Sequence, residues 1–378
     1  MTDWRNEWFE IEDAVFLNAA GHGPLPRVAV RAAAQAIEWK KFPHTMPDTA
    51  YFELPDRIRA SLAKLIGGRA EEIAITTGAS SGLAAVAAGL DWKPGDEVLV
   101  ARGEFPAHFT TWYPMQAAGR LKVIVVEPQG RFITAEDFLA HIGPRTRVVS
   151  TSLVRFDDGV RLDAAKVAGA CHDVGALLLL DAAQCAGAMP IDARALGADF
   201  LVASGYKWLL SPYGTGFFWV RSELIEQMRP GPFYWMALEH AARFHVLSSE
   251  TWKPESGARR WDSPETGSFF NLAAMDASLD LLLRIGAATV WEHTQRLTAL
   301  MIERLPLDRC VLASPASAAE RGPYACVGLR KPEKIQEMFE RLRAAKVIVS
   351  LREGALRIAP HLYNSERDMD RLLSVLTV

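Results

Sequence analysis

The segment LLLLDAAQ, residues 177–184, ends a run of apolar side chains with a carboxylate. A continuous apolar run of this length is typical of a parallel strand that is buried on both faces. The next such run, FLVAS at residues 200–204, is followed by Gly205, Tyr206 and Lys207. Because ligands bind beyond the carboxyl ends of parallel strands, these two runs predict that Asp181 and Lys207 lie at the functional edge of one sheet.

Helical patterns alternate with short apolar, β-branched segments between about residues 60 and 220. Parallel neighbours need helical crossovers, so this alternation predicts an α/β domain with a mostly parallel, doubly wound sheet. The strand candidates are residues 73–77, 97–101, 122–126, 148–152, 176–180, 200–204 and 217–220, and the helix candidates are residues 55–66, 81–89, 106–118, 135–141, 164–174 and 193–196.

The C-terminal part of the sequence has a different order of elements. A helix at residues 271–285 could bridge two domains, and it is followed by a strand–helix–strand–strand–helix pattern at 324–329, 334–345, 347–351, 356–359 and 365–375. This order predicts a smaller α+β domain. We therefore expect a large domain at residues 15–255 and a small domain at residues 256–378. The N-terminal residues 1–14 are expected to belong to the small domain.

Composition is that of a globular protein. Hydrophobic residues make up 49% and charged residues 23% of the 378 positions, and the formal net charge is −3. No clustered basic face is visible, so we expect no nucleic-acid partner. Apolar runs are too short to span a membrane, and no secretory signal is apparent. The four cysteines have no C-x-x-C spacing, so no metal site is expected and a cytoplasmic location fits best.

A pyridine-ring cofactor would explain both Asp181 and Lys207. A buried carboxylate is costly without a cationic partner, and a protonated ring nitrogen would be one. Burial near a cation lowers the pKa of a lysine and makes it a usable amine nucleophile for an aldehyde. The alternative is a buried aspartate satisfied by backbone amides and a lysine on the surface.

Two further segments could complete a cofactor site. Residues 77–82 (TGASSG) leave a strand and open a small-residue helix, which could cradle a phosphate on backbone N–H groups. An ordinary strand–helix turn would have the same sequence. Phe105, at another strand end, could stack on a planar ring, or could simply pack in the core.

Taken together, these segments resemble the class V aminotransferase family of pyridoxal-phosphate-dependent enzymes with the fold of type I transferases. That family includes cysteine desulfurases, kynureninases and isopenicillin N epimerase-like proteins. The resemblance runs from FLNAAGHGPLP near the start to LRIAPHLYN near the end, and the DAAQ…SGYK pair is its most specific part.

The resemblance implies a role for each matching residue of the cofactor site. Asp181 matches the residue that pairs with the pyridine nitrogen, Gln184 the residue that hydrogen-bonds the phenolic oxygen, and Lys207 the catalytic lysine that forms the Schiff base. The remaining cofactor-binding matches are Phe105, which stacks on the ring, Ala79, Ser80 and Ser204 around the phosphate, and Ser268, which reaches the phosphate from the neighbouring subunit of a homodimer with shared active sites.

Substrate contacts are implied at Arg357 and His22. Arg357 matches the arginine that receives the substrate α-carboxylate, and a planar guanidinium suits bidentate binding of a carboxylate. A strand arginine could instead form a surface salt bridge. His22 lies in a segment that lines the substrate mouth in relatives, although a lone histidine is often structural.

Two departures from the family pattern stand out. Desulfurases carry a catalytic cysteine shortly before the arginine, whereas residues 347–356 (VIVSLREGAL) contain none. Arg155 occupies the edge of the cofactor site, where relatives usually carry Asn or His. It could bind an extra acid group of the substrate or simply pair with Asp157. Specificity is expected to depend on His22, Arg155 and the aromatic pair Tyr234 and Trp235.

The sequence therefore predicts an enzyme that acts on an amino acid through an external aldimine of pyridoxal phosphate. Transamination is the first expectation from the family name, with a C–S lyase or epimerase that lacks a catalytic cysteine as the alternative. A retired binding scaffold would be signalled by loss of Lys207 or Asp181, and both are present. A nucleotide-dependent α/β enzyme is disfavoured because the glycine-rich dinucleotide motif is missing.

Overall fold

The computed structural model describes residues 4–231, 234–239, 241–243, 253–264 and 268–377. Within these residues no helix is both long enough and apolar enough to cross a membrane. Two sheets organise the chain, and a two-stranded parallel ladder stands beside them.

The larger sheet has seven strands in the order β2-β8-β7-β6-β5-β3-β4. Neighbours from β7 to β4 are parallel, and β8 is antiparallel to both β2 and β7. The strands are β2 (Ile73–Thr76), β3 (Glu97–Ala101), β4 (Lys122–Val126), β5 (Thr146–Ser152), β6 (Leu177–Asp181), β7 (Phe200–Ser204) and β8 (Gly216–Val220).

Both faces of this sheet are covered, which explains the uninterrupted apolar runs. Leu178 and Leu180 pack into one hydrophobic cluster, and Leu177 and Leu179 pack into another on the opposite face. Such burial is what favours continuous rather than alternating hydrophobicity in parallel strands. The covering helices are α3 (Ala50–Ile66), α4 (Ala79–Gly89), α5 (Pro106–Ala117), α6 (Ala135–Leu139), α7 (Ala164–Asp173) and α8 (Ser222–Ile225).

The smaller sheet is antiparallel, in the order β12-β13-β10-β9, and helices pack on it around a separate core. Its strands are β9 (Cys310–Leu312), β10 (Ala325–Leu329), β12 (Ser350–Arg352) and β13 (Ala355–Ile358), and the helices of this region are α10 (Ala287–Glu303), α11 (Ile335–Ala344) and α12 (Glu366–Leu376). The expected fold class, a large doubly wound α/β unit with a smaller α+β unit, is confirmed.

Two segments connect the larger and smaller units. Near the N-terminus, after α1 (Trp4–Trp8), β1 (Val15–Phe16) pairs with β11 (Val347–Ile348). The long helix α9 (Phe269–Ile285) packs against α3 and against α2 (Arg27–Lys41). β1 lies before the predicted domain boundary at residues 255 and 256 but pairs with a strand after it, and α9 lies after the boundary but packs against helices before it. The boundary therefore stays a prediction.

Two sequence expectations for individual elements are wrong, and two long helices were not predicted. Residues 193–196 form a turn rather than a helix, since the Asp192 carboxylate accepts the backbone N–H groups of Arg194 and Ala195. The strand expected at 347–351 is split into β11 and β12, because residues 347 and 348 pair with β1 whereas residues 350–352 pair with β13. Neither α2 nor α10 was predicted.

Candidate active site

The carboxyl ends of β3, β5, β6 and β7 bring the predicted side chains to one edge of the large sheet. Asp181 is the last residue of β6, and Lys207 lies three positions beyond the end of β7. Phe105 precedes α5 after the end of β3, and Arg155 follows β5. These positions are the ones expected for a ligand site in a doubly wound sheet.

Asp181 is a buried carboxylate with one oxygen still available. Its Oδ1 accepts the backbone N–H of Ala183 at 2.7 Å, and its Oδ2 lies 3.9 Å from His108 Nε2. Burial raises the pKa of Asp181, against the opposing charges of His108 and Lys207. Within the described part of the chain no donor forms a hydrogen bond to Oδ2, so a cationic ligand group would offset a real desolvation cost.

Lys207 is equally buried, and its amine lies between two aromatic rings. The Nζ atom is 5.2 Å from the centroid of the Phe105 ring and 5.6 Å from that of Tyr206. Burial lowers the pKa of Lys207 to about 8, and the positive charges of Arg357 and Arg352 act in the same direction against Asp181. An amine with this pKa is partly unprotonated near neutral pH, which a nucleophile requires.

The segment around His22 packs directly against this lysine. The Gly23 N–H donates to the Tyr206 carbonyl at 2.8 Å, and a Cβ at Gly23 would collide with the Lys207 carbonyl. The His22 ring is exposed and lies 5.3 Å from Tyr206 and 6.2 Å from Tyr213 between ring centroids. His22 therefore belongs to an aromatic cluster beside Lys207, and its place at the substrate mouth stays a prediction.

The predicted phosphate loop is the start of α4, an eleven-residue helix. Its first residue, Ala79, donates its N–H to Ser204 Oγ at 3.1 Å, which joins the end of β7 to this helix N-terminus. Ser80 is exposed in the first turn, and the hydroxyls of Thr77 and Ser81 are 2.9 Å apart. Backbone N–H groups and hydroxyls at a helix N-terminus suit an anion.

Gln184 is buried, and the protein uses part of its hydrogen-bonding capacity. Its Nε2 donates to the Ala20 carbonyl at 3.2 Å, and its Oε1 accepts from Trp208 Nε1 at 3.3 Å. A carboxamide nitrogen has two hydrogens, so one donor of Gln184 is left for a ligand. These contacts hold the side chain next to the residue that follows Lys207.

Arg155 is ion-paired within its own segment. Its Nη2 lies 2.8 Å from Asp157 Oδ2 and 3.1 Å from the Gly103 carbonyl, and its Nε lies 3.5 Å from Asp158 Oδ2. The pairing of Arg155 with Asp157 that the sequence allows is present in the structure. Burial and the charge of Asp157 raise the pKa of Asp158 to about 6. Contact of Arg155 with a cofactor stays a prediction.

Arg357 on β13 is a buried cation without a carboxylate partner among the described residues. Its Nε donates to Ser350 Oγ at 3.2 Å, and its Nη1 donates to the Phe156 carbonyl at 3.0 Å. The guanidinium carbon is 5.8 Å from the Tyr324 ring centroid. Burial lowers the pKa of Arg357. The alternative of a surface salt bridge therefore does not describe this residue.

Two predictions fall at or beyond the edge of the described residues. Ser268 is exposed and immediately precedes α9, whereas residues 265–267 of the same ETGS segment lie outside the described part. Tyr234 and Trp235 contact each other with ring centroids 6.2 Å apart, and Tyr234 packs with Tyr51 and Phe52 rather than with the residues around Lys207. Their predicted effect on specificity remains untested.

The polar groups that support this edge were not predicted from the sequence. Glu104 is buried and accepts hydrogen bonds from Ser152 N at 2.9 Å, from Ser152 Oγ at 2.6 Å and from Phe105 N at 2.9 Å. It therefore fixes the turn that carries Phe105. His108 is fully buried beside Asp181. The available signal for Glu104 was a carboxylate three positions beyond the end of the apolar strand β3.

Comparison with known proteins agrees with this geometry. The model of the family described as aminotransferase class-V matches residues 15–372. The chain belongs to the class-V aminotransferase family. This confirms the resemblance found in the sequence, and pyridoxal phosphate, the predicted cofactor, is the cofactor that this family uses.

Individual relatives of this class-V protein differ in their names. An uncharacterised aminotransferase of Bacillus subtilis is 30% identical over 82% of this chain and 80% of its own length. A kynureninase of Deinococcus radiodurans is 28% identical over 96% of this chain and 89% of its own length. The solved structure of the cystine C–S lyase C-DES superposes with a TM-score of 0.87 at 21% identity, covering 96% of this chain and 97% of that one. The last similarity shows the fold alone.

The donor set of the class-V protein fits the family's cofactor. A buried amine, a buried carboxylate with a free oxygen and an aromatic ring lie at one sheet edge, and a helix N-terminus opens beside Ser204. Within the described residues no three His, Cys, Asp or Glu side chains form a group that could hold a metal ion.

Proposed function

We propose that this chain binds pyridoxal phosphate through Lys207 and acts on the α-amino group of an amino acid. The observation that carries the proposal is the juxtaposition of Lys207, whose pKa is lowered to about 8, with the buried and incompletely paired carboxylate of Asp181. The Lys207 amine must lose its proton to react, whereas the Asp181 carboxylate needs a cationic partner to remain ionised in its buried position. One pyridine aldehyde satisfies both.

The residues that would hold the cofactor follow from their positions. Asp181 would pair with the ring nitrogen, Phe105 would contact the ring face, and Gln184 would donate its remaining N–H to the phenolic oxygen. The start of α4 at Ala79 and Ser80, with Ser204, would hold the phosphate. When bound, the cofactor supplies an electron sink for the bond that is broken at the substrate.

Arg357 is the proposed receptor for the substrate α-carboxylate. Its guanidinium is buried and held by Ser350 Oγ and the Phe156 carbonyl, so its orientation is fixed before substrate arrives. Preorganised, desolvated cations bind carboxylates more strongly than exposed ones. His22 and Tyr206 would border the substrate side chain.

Transamination is the first candidate reaction. The family description supports it, and so does the amine of Lys207, whose pKa of about 8 suits proton transfer to and from a substrate carbon near neutral pH. The proposal includes a keto-acid acceptor of unspecified structure.

Lyase or epimerase chemistry without a catalytic cysteine is the second candidate. All four cysteines are buried, and burial raises the pKa of both Cys171 and Cys326 to about 12. A thiol with such a pKa is a poor nucleophile, because the thiolate is the reactive form. Sulfur transfer through a cysteine persulfide is therefore disfavoured, whereas direct C–S cleavage or epimerisation is compatible with the same residues.

A cytoplasmic homodimer is part of the proposal. Ser268 is exposed at the start of α9, and we propose that it contacts the cofactor phosphate of a second copy. We expect light scattering to give twice the chain mass. Ser268→Ala should weaken pyridoxal-phosphate affinity while the dimer persists. An unchanged affinity would remove Ser268 from the site.

The deciding experiment is the visible absorption spectrum of the purified protein with added pyridoxal phosphate. We expect a band above about 400 nm that borohydride abolishes, as for a protonated Schiff base. Lys207→Ala should lack the band, whereas Lys122→Ala, a change of an exposed lysine on β4, should keep it. A protein that stays colourless would overturn the proposal. An amino-acid screen scored for keto acid, ammonia and sulfide would then separate transaminase from lyase.

A further inference from the structure

His108 is a fully buried histidine that none of the roles above uses. It lies in the first turn of α5, three residues after Phe105. Its Nε2 is 3.9 Å from Asp181 Oδ2 and has no hydrogen-bond partner within the described residues. A buried, unpartnered nitrogen that faces a buried, incompletely paired carboxylate calls for an explanation.

The opposite side of the imidazole determines where its hydrogen lies. His108 Nδ1 is 2.8 Å from Ser150 Oγ, and Trp112 Nε1 donates to the same oxygen at 2.9 Å. An indole nitrogen only donates, so the Ser150 hydroxyl is an acceptor towards Trp112 and has its own hydrogen to place. Among the described residues His108 Nδ1 is the acceptor for that hydrogen. The hydrogen of the imidazole is therefore on Nε2, towards Asp181.

Other charged groups near His108 do not compete for this hydrogen. Glu104 is the second buried carboxylate in the neighbourhood, but its oxygens accept from Ser152, Thr151 and Phe105 N. Arg155 is a cation and carries no acceptor. Lys207 forms no hydrogen bond with His108 Nε2 in the described part of the chain. The remaining acceptor is Asp181 Oδ2. A separation of 3.9 Å exceeds a hydrogen bond, and contacts of this kind are often long before the ligand binds.

We propose that His108 is a positioning residue whose Nε2–H holds Asp181 ionised and oriented for pairing with a protonated ring nitrogen. The chain Trp112–Ser150–His108 fixes the tautomer that makes this possible. The inference rests on the proposed function, since it assigns His108 a task only if Asp181 meets a pyridine nitrogen. It also predicts a distinction that a packing role does not: the contribution of His108 should depend on the ring nitrogen of the ligand.

The test compares two ligands that differ only at that nitrogen. The apoprotein is titrated with pyridoxal phosphate and with its 1-deaza analogue, in which C–H replaces the ring nitrogen, and the dissociation constants are measured by equilibrium dialysis. His108→Met removes the donor at similar size. We expect His108→Met to weaken the binding of pyridoxal phosphate about ten- to a hundredfold, which is the range for one hydrogen bond to a charged group. Binding of the deaza analogue should weaken by less than about twofold.

Matched variants keep this test independent of folding defects. His108→Gln retains an N–H near the position of Nε2 and should recover most of the affinity. Ser150→Ala removes the hydroxyl that holds the imidazole hydrogen on Nε2. It should cause a smaller loss of affinity for pyridoxal phosphate and again leave the affinity for the deaza analogue nearly unchanged. In an Asp181→Asn background, His108→Met should have no further effect.

An equal loss for both ligands, or no rescue by glutamine, would overturn the role of His108. If the wild-type protein binds neither ligand, the proposed function itself fails.

Discussion

The two ends of strands β6 and β7 carry buried carboxylates with opposite surroundings. At the amino end, Asp199 accepts the Leu178 N–H at 2.7 Å and His172 Nε2 at 3.1 Å, and Arg221 Nη2 lies 2.7 Å from its Oδ1. At the carboxyl end, Asp181 accepts one backbone N–H, and its other oxygen lies 3.9 Å from His108 Nε2 without a hydrogen bond to any described residue. The two carboxylates thus lie on one pair of neighbouring strands, Asp199 at its amino end and Asp181 at its carboxyl end.

This difference separates stability from function. A buried carboxylate with an arginine partner, such as Asp199, is costly to disrupt. A buried carboxylate without a cationic partner at hydrogen-bond distance, such as Asp181, costs free energy until a ligand supplies one. Lys207 and Arg357 follow the pattern of Asp181, because burial lowers the pKa of both without a carboxylate partner at hydrogen-bond distance in the described chain. We therefore expect this site to bind a ligand that carries an anionic group, an aldehyde and a cationic ring nitrogen.

The largest expected effect is at Lys207. Lys207→Ala should lower kcat for the amino-acid substrate found by screening by about 10³-fold or more, since it removes both the attachment point and the base. Steady-state kinetics of Lys207→Ala against Lys122→Ala measures this. Activity in Lys207→Ala within tenfold of wild type would show that another residue carries the chemistry.

The carboxylates themselves should respond in opposite ways. Asp199→Ala should lower the free energy of unfolding of the apoprotein by about 3 kcal/mol, because Arg221 and the buried Leu178 N–H lose their partner. Asp181→Asn should leave it unchanged or raise it, because burial raises the pKa of Asp181 and the ionised form is costly at neutral pH.

Urea unfolding of the two variants, paired with titration by pyridoxal phosphate, checks this contrast. Cofactor affinity should fall in Asp181→Asn and persist in folded Asp199→Ala. Equal destabilisation by both changes would erase the distinction between the two strand ends.

Arg357 should affect substrate rather than cofactor. Arg357→Leu should lower kcat/KM by about thirtyfold, equivalent to about 2 kcal/mol for a lost charge-assisted hydrogen bond, with pyridoxal-phosphate affinity little changed. Arg357→Lys, which keeps the charge without the planar fork, should recover part of the loss. A substrate amine without a carboxylate should be insensitive to both changes, and sensitivity of that amine would argue against the assignment.

The smallest expected effect is a change in pH dependence. Because the pKa of Lys207 is lowered to about 8, the unprotonated amine gains population as the pH rises through that value, and the rate of Schiff base formation should rise with it. Arg352 lowers this pKa, so Arg352→Ala should move the midpoint to higher pH. Stopped-flow mixing of apoprotein with pyridoxal phosphate across pH 6–10 tests it. A midpoint above pH 10 in the wild type would contradict the burial of the amine.

Much of the large sheet was predictable because its signal is local. Each of the seven expected strands is present, and continuous apolar runs such as LLLL identify them without tertiary information. The small-residue helix after TGAS and the lysine after FLVAS followed from the same logic. The turn at residues 193–196 was misread, since alanines favour a helix and the Asp192 carboxylate instead closes a turn.

The supporting groups of the site were not predictable because their partners are distant in sequence. His108 on α5 contacts Ser150 on β5, which is 42 positions away in the sequence, and lies beside Asp181 on β6. Nothing within the sequence of α5 indicates either contact. The sequence allows two roles for Arg155, and only the fold brings its guanidinium to Asp157 and to the Gly103 carbonyl together. The short strand β1 has two residues, too few for any periodicity.

The central claim is that Lys207 carries pyridoxal phosphate at the carboxyl end of β7. The most direct measurement is peptide mapping by mass spectrometry after borohydride reduction of the protein with its cofactor. We predict one phosphopyridoxyl adduct, on the peptide that contains Lys207, and its loss in Lys207→Ala. An adduct on a different lysine, or a reduced protein without any adduct, would contradict the claim.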